Sequence, residues 1–170
     1  PWMFALAPGY EDPGSILLGD GEAWDGEGGS QVFLSEDGAE TWKLVGDCQT
    51  VLGTWDTDDG YKTYVAFDPG YPTNPNADMY AAAGDMIARC KIDTDKAMAK
   101  QAWAEIFCLP ECPDVSPHVP ELYASGIAVT GDTVLYVTSG EDVETLIQPG
   151  EGECEDTSFI NGGVMRSLNP

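Results

Sequence analysis

The chain repeats itself at a spacing of about 61 residues, and this periodicity limits its possible folds more than any other feature. "FALAPGY" (4–10) recurs as "VAFDPGY" (65–71), with Pro8 and Pro69 61 positions apart, and Trp42 and Trp103 keep the same interval. A third copy opens at "IAVTGD" (127–132). There Ile127 and Val129 take the places of Phe4 and Leu6, and of Val65 and Phe67, while Gly131 replaces Pro8. Each unit continues with a second apolar run ending in glycine and an acid: "SILLGD" (15–20), "MYAAAGD" (79–85) and "VLYVTSGE" (134–141). A third run follows each time, "QVFLS" (31–35), "MIARC" (86–90) and "VMRS" (164–167), which makes Ser35, Cys90 and Ser167 equivalent. Two units add a fourth run that carries the tryptophan, "TWKLVG" (41–46) and "AWAEIF" (102–107).

Short apolar runs rich in Val, Ile, Tyr and Phe, broken by Gly, Pro and Asp, are strands joined by turns. Helix formers line up only in "TDKAMAKQAW" (94–103), inside a loop six residues longer than its counterpart in the first unit, and predict one or two helical turns. Four antiparallel strands per unit describe a propeller blade. The expected fold is therefore all-β, one domain over 1–170. It is a partial β-propeller of about three four-stranded blades, with repeats at 1–48, 61–108 and 122–170 and the last blade lacking its outer strand.

A propeller closes with about 4 to 8 blades, so three units do not complete a ring. Two arrangements follow. The residues belong to a longer propeller protein, or several chains combine and a neighbour completes the third blade by adding a strand to its open edge. The terminus Pro1-Trp2-Met3-Phe4, with neither initiator Met nor a charged signal region, reads as processed or excerpted.

"SEDGAETW" (35–42) lies between the third and fourth runs of the first unit. It resembles the Asp-box of sialidase-like and sortilin-like propellers, Ser-x-Asp-x-Gly-x-Thr-Trp. Ser35, Asp37, Thr41 and Trp42 match, and Ala39 stands where that family usually has Gly. The resemblance implies a fastener. The Asp carboxylate accepts hydrogen bonds from the turn, the Ser and Thr hydroxyls add others, and the Trp covers the hairpin. Such a turn spends its hydrogen bonds on its own backbone and has little freedom for chemistry. The second box is degenerate, and "RSLNP" (166–170) begins a third.

Sialidases hold the substrate carboxylate with three arginines, and this chain has two, Arg89 and Arg166, at equivalent positions of the third run. A repeated structural role fits them better than an active site. Other Asp-box proteins are glycosidases that work with a pair of carboxylates, and no pair stands out among 30 acids. The expectation is a non-catalytic module, not an enzyme, acting in binding or self-assembly as part of a surface layer, filament or larger complex. The alternative is a fragment of a propeller glycoside hydrolase whose catalytic residues lie elsewhere.

Composition narrows the partners. A formal charge of -23, from 30 acids against seven Lys and Arg, repels phosphate backbones and anionic membrane surfaces, which excludes nucleic acid as a partner. No run approaches the ~20 apolar residues of a membrane span. Two acidic stretches are candidate calcium sites, "DGEAWDGEG" (20–28) through Asp20, Glu22 and Asp25, and "DTDDG" (56–60) through Asp56, Asp58 and Asp59. The second begins like a calcium loop but lacks its later Glu. Trp24, Trp55, Tyr61 and Tyr71 fall in loops, where aromatics stack on carbohydrate, anchor a protein partner or cap the core.

The five cysteines fit no zinc or haem pattern. Cys48, Cys108, Cys112 and Cys154 are the disulfide candidates, pairable in three ways, and an oxidising extracellular or cell-surface setting would follow. Cys90, in the place of a small turn serine, is expected to be a buried free thiol. Five reduced cysteines would instead suit an intracellular protein of a salt-loving organism. The proline-rich "CLPECPDVSPHVPE" (108–121), with Pro110, Pro113, Pro117 and Pro120, falls where one repeat joins the next, and a Cys108–Cys112 bridge would stiffen it.

Overall fold

A computed structural model describes residues 3–6, 14–20, 27–56, 62–74, 77–84, 86–108, 123–130, 134–140 and 163–167. The described chain is mostly β, in antiparallel sheets. The first sheet orders β1 (Met3–Leu6), β2 (Ile16–Gly19), β4 (Val32–Ser35) and β5 (Lys43–Leu44). The second orders β7 (Tyr64–Phe67), β8 (Asp78–Ala83), β9 (Met86–Lys91) and β10 (Trp103–Cys108). The third holds β11 (Tyr123–Val129), β12 (Leu135–Gly140) and β13 (Gly163–Ser167).

The repeat holds residue by residue across the ladders. In the first sheet Leu6 pairs with Ile16 and Ile16 with Ser35. The second sheet aligns Phe67, Met79, Cys90 and Trp103, and the third aligns Val129, Leu135 and Ser167. Ser35, Cys90 and Ser167 thus occupy one register position, as their place in the repeat predicts. A second row runs Ala5, Leu17, Leu34, Lys43 in the first sheet, Ala66, Tyr80, Arg89, Ala104 in the second and Ala128, Tyr136, Arg166 in the third.

The sheets stack face to face in chain order. Leu17, Val32, Leu34 and Val45 of the first pack against Val65, Phe67, Met79, Ala81, Cys90 and Trp103 of the second in one core. The opposite face of the second, with Tyr80, Ala82 and Ile87, meets Leu135 and Val137 of the third in another core. Side chains alternate across a strand, so a sheet covered on both faces needs apolar residues at successive positions, whereas a sheet covered on one needs every second residue. Met79 to Ala83 of β8 are all buried, while β2 and β12 alternate between buried and half-buried. Each fully buried Leu, Ile or Val side chain contributes about 1.5–3 kcal/mol.

Glycine permits a close approach between the first two sheets. A Cβ on Gly46 would lie 2.2 Å from the Gln101 carbonyl oxygen, and its φ of +59° favours glycine independently. The Gly46 N–H donates to the Met98 carbonyl at 3.0 Å, and the Trp103 indole N–H donates to the Val45 carbonyl at 2.6 Å, so this contact is bonded from both sides.

The long β9–β10 loop contains one 3-10 turn, Met98–Lys100, in the segment expected to be helical. The buried Gln101 side chain closes that loop. Its Oε1 accepts from the Asp93 N–H at 2.9 Å, and its Nε2 donates to the carbonyls of Asp93 (2.9 Å) and Lys96 (3.2 Å).

Two features lie outside the repeat. A short helix α1 (Gln49–Leu52) follows the first sheet and buries Leu52. A two-stranded ribbon pairs β3 (Glu27–Gly29) with β6 (Thr54–Asp56). Both elements are only three or four residues long, too short for a periodic signal.

Candidate functional site

The turn between β4 and β5 is closed by hydrogen bonds among residues 35 to 41. The Ser35 hydroxyl donates to Asp37 Oδ1 at 2.8 Å and accepts from the Ala39 N–H at 2.8 Å. The Asp37 carboxylate also accepts from the Thr41 N–H at 2.8 Å and from the Thr41 hydroxyl. Bonds from the Thr41 hydroxyl and N–H and from the Ser35 hydroxyl stabilise the ionised carboxylate and hold the Asp37 pKa down at about 2. Gly38 and Ala39 both adopt positive φ, 69° and 75°. Glycine carries this at no steric cost, whereas Ala39 brings a Cβ into a region that L-residues avoid. Across the turn Lys43 Nζ lies 2.6 Å from Glu36 Oε2, with both side chains about half exposed.

This arrangement is a self-contained clamp. Every polar group of Ser35, Asp37 and Thr41 named above is turned toward the loop's own atoms. Trp42, expected to cover the hairpin, instead stands 39% exposed as a large apolar side chain at the surface. Trp103, its counterpart in the second sheet, is 8% exposed and bonded to Val45. The difference is one of neighbours, since the first sheet covers Trp103 and no described residue does the same for Trp42.

Other candidates divide. Cys48 is a free, fully buried thiol and not a disulfide partner, because it sits at the start of α1 inside the core that also holds Cys90. Cys90 is likewise free and buried. Burial raises both thiol pKa values, that of Cys90 to about 12, so neither is a ready nucleophile. Cys108 ends β10, while Cys112, Cys154 and the proline-rich connector lie outside the described residues.

Among the described residues no group of three His, Cys, Asp or Glu side chains is placed to hold a metal ion. The expected ligands Glu22, Asp25, Asp58 and Asp59 lie outside the described residues. Asp20 follows β2, where its N–H donates to the Gln31 carbonyl at 2.9 Å, and Asp56 ends β6 opposite Glu27. That pairing joins the two acidic stretches through one ribbon, a link between residues as far apart as Glu27 and Asp56 that periodicity does not reveal.

Tyr71 belongs to the core and is not a free recognition residue. It is 7% exposed, stacks on Phe67 with ring centroids 4.6 Å apart, and donates to Ser15 Oγ at 3.3 Å. Trp55 lies in β6 and not in a loop, and Trp24 and Tyr61 lie outside the described residues. Arg89 sits 3.8 Å from Asp78 and shares its register position with Arg166. Two polar atoms are buried without a described partner, Gln31 Oε1 and the Tyr80 hydroxyl. No helix among the described residues is long and apolar enough to cross a membrane. In comparisons with known proteins the chain matches no family model, no curated protein and no solved structure.

Proposed function

We propose that the chain is a non-catalytic Asp-box propeller module of the extracellular space or cell surface, acting through its faces and edges in binding or self-assembly. The observation that carries this reading is the stacking of three register-matched antiparallel sheets, each laid on the next through the same kind of face. Propellers are built by repeating four-stranded antiparallel sheets, and the stacking of such sheets here supports that reading. The clamp of Ser35, Asp37 and Thr41 at the β4–β5 turn supports the Asp-box part of the reading, because its bonds hold a hairpin and leave no polar group poised toward a substrate.

In the third sheet β13 pairs with β12 alone among the described strands, which gives a partner a row of main-chain donors and acceptors to complete. The partner is a protein strand, from another molecule or another copy of this chain.

The test is imaging of the native material by electron microscopy, with intact-mass measurement of the chain extracted from it. The expected result is a chain built into a larger complex or periodic array. A dispersed monomer that hydrolyses aryl glycosides would overturn the proposal in favour of a glycoside hydrolase.

A further inference from the structure

The contact between the second and third sheets differs in chemistry from the contact before it. Where the first sheet meets the second, the row shared by the repeats carries Leu17 and Leu34, both fully buried and apolar. Where the second sheet meets the third, the same row carries Tyr80 and Arg89, paired directly across β8 and β9. Tyr80 is 0% exposed and enclosed with Ala82, Ile87, Leu135 and Val137, yet its hydroxyl has no hydrogen-bond partner among the described residues. A buried hydroxyl left that way destabilises a fold, so native proteins satisfy such groups with protein atoms or with ordered water.

Charged groups surround this hydroxyl. Asp78 lies two residues before Tyr80, on the same face of β8, and Lys91 is its cross-strand partner. Arg89 Nε is 3.8 Å from Asp78 Oδ2, longer than a hydrogen bond and within the span that one water bridges. Asp68 follows β7, where its Oδ1 accepts from the Gly70 N–H at 2.7 Å. Burial pushes the Tyr80 phenol up to about 12, with the charges of Asp78 and Asp68 adding to this and that of Arg89 opposing it. The phenol therefore keeps its proton at neutral pH, and it is a hydrogen-bond donor within electrostatic reach of all three groups.

Charge and size decide what fits there. Asp68 and Asp78 are balanced by Arg89 and Lys91, so the cluster has no surplus charge to hold an ion of either sign. A neutral molecule that both accepts and donates suits a phenol donor, a guanidinium donor and a carboxylate acceptor. Ala66, buried and next to Tyr80 in the row, takes up little of the space between the sheets. We propose that an internal water is bound between the second and third sheets, accepting hydrogen bonds from the Tyr80 hydroxyl and the Arg89 guanidinium and donating one to the Asp78 carboxylate. Three such bonds are the usual complement of a buried water. The site is independent of the propeller and assembly reading above.

Tyr80→Phe in the full chain tests this, because it keeps the ring and removes only the hydroxyl. With a water bound, the variant loses a satisfied hydrogen bond, and its unfolding constant in urea is expected to rise about five-fold. An unsatisfied hydroxyl predicts the opposite sign, since its removal would stabilise the fold. Relaxation dispersion of the water oxygen nucleus counts water molecules held longer than the protein tumbles, and Tyr80→Phe is expected to hold one fewer than the unaltered chain. Asp78→Ala should also weaken the fold, and the two substitutions together should cost less than the sum of their separate effects, because both act on the same water.

A Tyr80→Phe chain as stable as the unaltered one, or more stable, would overturn the proposal. Equal counts of long-lived water in the two chains, or effects of Tyr80→Phe and Asp78→Ala that simply add, would overturn it too. So would a crystal structure that places a protein group or a metal ion on the Tyr80 hydroxyl.

Discussion

Trp42 and Trp103 hold the same place in two repeats, so replacing each with Phe separates what the residue contributes from what its neighbours contribute. Trp103→Phe removes the indole N–H that reaches the Val45 carbonyl at 2.6 Å inside the contact between the first two sheets. A buried carbonyl left without its donor costs about 1–3 kcal/mol. The missing ring atoms leave a cavity that adds about 1 kcal/mol at ~24 cal/mol per Å³. The expected loss is therefore about 2–4 kcal/mol, or roughly 5–15 °C in Tm for a domain of this size. Trp42→Phe, at a side chain 39% exposed, should stay within about 0.5 kcal/mol. Urea unfolding followed by far-ultraviolet circular dichroism reads both, at a concentration low enough to keep the chain monomeric. The transition should move to lower urea for Trp103→Phe with an unchanged slope. Equal shifts for the two variants, or none for Trp103→Phe, would refute the assignment of the inter-sheet contact to this bond.

Three further outcomes follow. The folded Asp37 pKa of about 2 lies below its unfolded value near 3.8, so the clamp's contribution is complete above about pH 4 and is lost as pH falls toward 2. Urea midpoints measured across that range should fall more steeply for the unaltered chain than for Asp37→Asn, and parallel curves would contradict this. Ala39→Gly relieves a Cβ held at φ 75° and should raise stability by about 0.5–1 kcal/mol, read as a higher urea midpoint; a lower one would mean the strain is absent. Cys48 and Cys90 should resist alkylation in the folded chain and react fully in denaturant, with mass spectrometry locating the label, and rapid native labelling at either site would show their core to be open.

Much of the architecture was legible as a linear pattern. The 61-residue interval predicted which runs pair and which residues share a row, and the ladders place Ser35, Cys90 and Ser167 together as that interval requires. It even overrode local preference. "MYAAAGD" is rich in alanine, a strong helix former, yet it forms β8 because its place in the repeat lies between two other sheets, where small side chains suit a strand covered on both faces. The clamp was legible for a different reason, since its donors and acceptors lie within six residues of one another and their geometry is local.

Local order and the sharing of rows are thus written in the chain, because strand pairing between consecutive segments depends on spacing and alternation. Burial is not, because it depends on which sheet lies over which face. Equivalent tryptophans end in opposite environments, Cys48 is enclosed as a free thiol where a bridge was expected, and Tyr71 is drawn from a loop into the core. The β3–β6 ribbon joins two acidic segments with no periodic signature to announce it. Each of these outcomes arises from contacts between residues far apart in sequence, and only folding in three dimensions brings such residues together.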